Sequence, residues 1–167
     1  MNAPHLDSQI STRVMQAYGA ACIVKFCAAK SISSEDVTAL VEHLLNVLTS
    51  SNLQDWEVSG TRLSLSGRGD PLPKELVRRM PPSLLEPLHH LVECVVEIGL
   101  IDMHGAVTSG PVKFLERVRA LLAPSSVEPP SIAELIALTG ASEPGWGQPL
   151  SLVEYRKARE WCMSQNV

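Results

Sequence analysis

Residues 84–104, LLEPLHHLVECVVEIGLIDMH, are apolar on nearly every side once wound as a helix. The exceptions near the middle are Glu86, His90, Glu93 and Glu97. At ~100° per residue these four fall in a sector roughly 60° wide, and His104 rejoins it if the helix continues past Gly99. A rod that greasy has to be surrounded by other elements, and the one face it can leave open is acidic. Ser83 with Glu86 has the spacing of a capping box at its start, and Pro87 falls early enough to be tolerated.

Helices are the natural surroundings for such a rod. The chain is 45% hydrophobic, 19% charged and only 4% aromatic. Leu, Val and Ala dominate, a palette that suits helix packing better than a sandwich of strands. A first helix is expected from about Ser8 or Ser11 to Ala29. Its small residues, AYGAACIVKFCAAK, would let a neighbouring backbone approach closely, so this helix should be central. Ser33 with Asp36 then reads as a cap pair, and Val37, Leu40, Val41, Leu44 and Leu48 form an apolar helical face ending near 49–52.

Asn52 is placed to cap one turn through Trp56, and Leu63–Leu65 is either a short strand or an extended loop. Asp70 followed by Pro71 reads as the start of a short helix closing before Pro81 and Pro82. Pro111 opens another helix, with Phe114, Leu115, Val118, Leu121 and Leu122 facing inward and Lys113, Arg117 and Arg119 outward. Two further capping boxes, Ser131 with Glu134 and Ser151 with Glu154, begin the last two helices. The fold expected is an all-α, single-domain orthogonal bundle of six to eight helices over 1–167, with one short extended segment near 61–66 allowed. The Pro- and Gly-rich 123–150 stretch would be a connection to a C-terminal helix packed on the bundle.

Function is less legible. There is no GxSxG elbow, GxxxxGK[ST] loop, HExxH or GxGxxG, so the chain reads as no enzyme. The formal charge of −4 disfavours nucleic acid, which needs clustered Lys and Arg. Lys74, Arg78 and Arg79, with Arg68 before them, lack the aromatics that stack on bases. Arg68-Gly69-Asp70 is turn chemistry, with Gly67 and Gly69 supplying positive φ. Cys22, Cys27, Cys94 and Cys162 form no CxxC pair and read as small hydrophobes in a reduced setting. A soluble cytoplasmic protein follows, because the run Val14–Val24 is too short for a membrane span and lacks a basic leader.

The polar seam is the best functional lead. Glu86, His90, Glu93 and Glu97 would steer a basic protein partner such as a toxin or effector. Trp56 and Trp146, read as loop residues beside acids (Asp55 and Glu57; Glu143), would anchor it. This compact, acidic, motif-free profile resembles small inhibitors of immunity-protein or antitoxin type. Two other readings use the same residues. One is a small enzyme or metal-binding protein built on Glu86, His89, His90, Glu93 and Glu97, although a single Glu-x-x-His lacks the second copy that a di-iron bundle needs. The other is a structural or regulatory subunit that forms a homodimer. No cofactor or metal is expected under the leading reading.

Overall fold

The computed structural model describes residues 9–140 and 145–166. These residues form eight α-helices and no strand: α1 (Thr12–Ala29), α2 (Glu35–Asn46), α3 (Leu53–Gly60), α4 (Lys74–Arg79), α5 (Pro82–Leu100), α6 (Gly110–Leu122), α7 (Ile132–Thr139) and α8 (Leu152–Met163). The fold is an all-α bundle, and no helix among the described residues is long and apolar enough to cross a membrane.

The organising element is α1. Ser11 caps it by accepting the Val14 amide, and every residue from Ile10 to Ile23 is buried. Helices α2, α5, α6, α7 and α8 all pack on it. Such enclosure requires close approach. A Cβ at Gly19 would stand 2.9 Å from Val95 Cγ1, so α1 and α5 cross where glycine leaves room. Farther along the same crossing, Gly99 does the same for Gln16, the polar residue at the heart of α1. Gln16 is fully buried, and its Nε2 donates to the Val95 carbonyl at 2.8 Å.

A Cβ on residue 99 would lie 2.4 Å from Gln16 Oε1 and 2.9 Å from Trp56 Cη2. Overpacking of this kind costs about 3 kcal/mol, against a helix-propensity gain of up to about 1 for alanine. Gly99→Ala is therefore expected to destabilise the protein by about 2 kcal/mol in urea unfolding. An unchanged or raised midpoint would show that this crossing is looser than described.

Several helix starts differ from the sequence expectation, each for a local reason. Helix α2 is capped one residue later, by Ser34, and it stops at Asn46 rather than at 49–52, although Leu48 stays buried. The Asp70–Pro71 start does not form, and α4 begins after Pro73. Each proline pushes its predecessor out of helical space, so the alternation in 70–73 stays extended. Asp70 instead accepts the Ser66 hydroxyl at 2.8 Å.

The Ser83–Glu86 box is also absent. Pro81 and Pro82 open α5 without a side-chain cap, which leaves Glu86 free of capping duty. At α7, Ser131 makes no side-chain cap either, and the Glu134 carboxylate, the other half of that box, instead accepts the Trp161 indole N–H at 2.9 Å. Leu63–Leu65 is a bend, not a strand. The Asn52 cap on α3 forms, and on α8 the Ser151 hydroxyl accepts the Glu154 amide and donates to the Glu154 carboxylate. Ser8 as an alternative helix start, and Glu143 beside Trp146, lie outside the described residues.

The segment 145–150, leading into α8, is strapped onto the bundle. The Thr12 amide donates to Gly145 at 2.8 Å, and the Leu150 amide donates to Leu48 at 2.7 Å. Arg13 secures the middle. Its guanidinium donates to the Ser50 carbonyl at 2.9 Å, the Gly147 carbonyl at 3.3 Å and the Val47 carbonyl. Val47 and Ser50 lie just past the C-terminal end of α2, where helix carbonyls lack partners and negative potential gathers.

Candidate functional site

On α5 the expected seam is present as a physical strip. Leu88, Leu91, Val92, Cys94, Val95, Val96 and Ile98 are buried. Between them Glu86 and His90 are exposed, while Glu93 and Glu97 are half-buried. His104 does not join this line: the helix ends at Leu100 and the chain turns through 101–104.

The strip forms one side of an open groove of about 560 Å³. Helix α5 gives it His90, Glu93 and Glu97, with Cys94 alongside. Helix α6 contributes Phe114 and Arg117, and the loop before α4 contributes Gly67, Arg68 and Gly69. This loop lies tightly on α5. Gly67 has φ +66°, and a Cβ there would meet Val96 Cγ2 at 2.5 Å. Gly69 also takes a positive φ, as the turn reading of Arg68-Gly69-Asp70 requires.

The two arginines of the groove were missed as site residues, and they behave differently. Arg68 is already engaged: Nη1 donates to Glu57 Oε1 at 2.7 Å and Nη2 to the Glu57 carbonyl at 2.8 Å. Arg117 is exposed, its guanidinium 4.9 Å from the centre of the Phe114 ring. The sequence placed Arg117 on the outer side of its helix. That is correct, but this outer side faces the strip. Burial raises the pKa of the Cys94 thiol; Arg117 pulls it back, while Glu93 and Glu97 push it further up. All three charges therefore surround the groove wall at Cys94. Among the described residues, neither Glu86 nor Glu97 makes a hydrogen bond or ion pair, so their charge is available to a visitor.

His89 has a different task. Its Nε2 lies 3.0 Å from the Asp70 carbonyl oxygen and 3.2 Å from Glu93 Oε1, which pins the loop to α5 and steadies Glu93. The metal reading gains nothing from this arrangement, because no group of three or more His, Cys, Asp or Glu among the described residues is placed to hold an ion.

Trp56 is not an exposed loop anchor. It lies on α3 and is 6% exposed, with its indole N–H donating to the His43 carbonyl at 2.8 Å. Its ring stacks on His43 at 4.9 Å, and Trp146 meets it edge-on at 6.5 Å. Trp146 is half-buried in the strap, and neither tryptophan lines the groove. Loop composition misled here: the helix capped by Asn52 runs on to Gly60, with Trp56 on its buried side. Of the basic residues at α4, Arg78 is paired to Glu75 at 2.7 Å, and Arg68 before the helix is paired to Glu57. All four cysteines are buried free thiols.

The stacked histidine has a measurable consequence. Burial, then the charge of Arg68, lower the His43 pKa from 6.5 to about 4. A Cβ at Gly60 would be 2.7 Å from both His43 Nε2 and Arg68 Nη2, which shows how closely ring and guanidinium share that face. Between those two pH values the unfolded chain binds more protons on this ring than the folded one. Stability conferred by the neutral ring is thus complete above about pH 6.5, is lost as pH falls, and levels off below about 4. For a half-exposed ring the screened loss is about 1 kcal/mol. His43→Gln is expected to remove that part of the difference between urea midpoints at about pH 7 and about pH 4.5. Equal pH differences in the two proteins would contradict it.

Compared with protein-family models, curated proteins and solved structures, the chain matches none.

Proposed function

We propose that this protein is a non-enzymatic acidic binding protein that engages and inhibits a basic protein partner, in the manner of immunity proteins and antitoxins. The observation that carries the reading is the α5 strip. Glu86, Glu93 and Glu97 stand along one open face of a largely buried helix, and Glu86 and Glu97 have no partner among the described residues. Arg68 is paired with Glu57, and among the described residues of this groove Arg117 is the other arginine set against Glu93 and Glu97. An acidic face accelerates encounter with a basic protein and fixes its orientation. The inhibitor type within this class rests on analogy of profile, not on a residue.

The test is capture of the partner by the tagged protein from its native source, followed by assay of that partner's own activity. A basic partner whose activity disappears at stoichiometric addition supports the reading. An acidic partner, or one whose activity is unaffected, overturns it.

A further inference from the structure

A second, less polar hollow of about 410 Å³ adjoins the acidic groove at the same loop. Pro71, Leu72, Val77 and Leu85 give it aliphatic walls, and Glu86 and His89 border it. Gly69 lines both spaces. A Cβ at Gly69 would find nothing within 4 Å, so the saddle between the two hollows is bare backbone. Val77 is 38% exposed, a large apolar side chain left open at this point.

We infer that the trough along α5 takes a helical segment of the basic partner that carries an aliphatic side chain about two turns from a pair of cationic ones. This rests on the binding reading above and adds the chemistry of the segment. Glu93 and Glu97 are one helical turn apart, the spacing of a Lys or Arg pair at i and i+4 on a facing helix. The aliphatic hollow lies level with Glu86 and His89, roughly 11 Å along α5 from the midpoint of Glu93 and Glu97. A basic helix seated on the strip therefore presents its next inward side chain, two turns on, to Leu72, Val77 and Leu85. This is helix-in-groove recognition, with charge setting direction and one aliphatic residue setting register. Arg117 closes the far wall against a third cation.

The probes are two alanine–glutamine helical peptides, each with a lysine pair one turn apart. Two turns from the pair, one carries leucine and the other serine. Binding is followed by fluorescence anisotropy. Wild-type protein is expected to bind the leucine peptide about tenfold more tightly than the serine peptide. Val77→Ser should abolish that preference, and Val77→Ile should keep it. Val77 is partly exposed, so neither variant threatens folding. Equal affinity of wild-type protein for the two peptides would overturn the inference and leave the acidic-strip reading intact. Failure of wild-type protein to bind either peptide at low salt would overturn both.

Discussion

Exchanging Arg13 for methionine is expected to destabilise the fold by about 3 kcal/mol, because it strips the donors from three carbonyls, one buried at Val47 and two part-buried at Ser50 and Gly147. The size of the effect follows from position. Arg13 is 5% exposed and lies in the first turn of α1, where a cation gains nothing from its own helix dipole. Its charge is used instead beyond the C-terminal end of α2, at Val47 and Ser50, and on the strap at Gly147. One side chain thus joins the start of α1, the end of α2 and the approach to α8. Burial lowers its pKa, the cost of holding an unpaired guanidinium among carbonyls.

Arg13→Lys should recover less than half of the loss, since a single ammonium cannot span that fork. Urea unfolding followed by tryptophan fluorescence reports both the midpoint and the strap, because Trp146 rests on Trp56. A midpoint for Arg13→Met equal to wild type would contradict the clamp.

The second large effect concerns binding. The double variant Glu93→Lys with Glu97→Lys is expected to weaken capture of the basic partner by about 30- to 100-fold at low salt, and most of that difference should disappear at high salt. Each reversal removes an attraction and adds a repulsion, and both positions are half-buried, where screening is incomplete. Glu97 has no partner to lose among the described residues, so its reversal should leave stability nearly unchanged. Among the described residues Glu93 gives up only its contact with His89. Arg117→Ala should act in the opposite sense and tighten binding modestly. Isothermal titration with the purified partner at two salt concentrations separates these cases. Undiminished affinity in a folded double variant would remove the strip from the interface.

Periodicity foretold much of this architecture, because burial on helices has a period that a one-dimensional pattern can carry. The central first helix, the apolar face Val37–Leu48 and the strip Glu86–Glu97 were all visible in that way. Helix starts rich in proline were harder. Asp70, Ser83 and Ser131 have the right chemistry for caps, but none of them caps; prolines set the local outcome at the first two, and the Glu134 partner of Ser131 is held by the Trp161 indole. What pattern could not supply was company across helices. Arg117 and Phe114 reach the strip because α6 lies beside α5, and Trp56 is buried because α3 folds against His43, Gly99 and Trp146. Arg13 and Gln16 interrupt an apolar run, and that interruption was the one available signal that α1 carries buried donors.

The most direct measurement is carbodiimide footprinting of carboxylates, with and without the captured partner. The account predicts that labelling of Glu86, Glu93 and Glu97 falls sharply in the complex, while the exposed Glu116 and Glu160 label as before. Unchanged labelling of the α5 glutamates, with protection appearing elsewhere on the bundle, would contradict it.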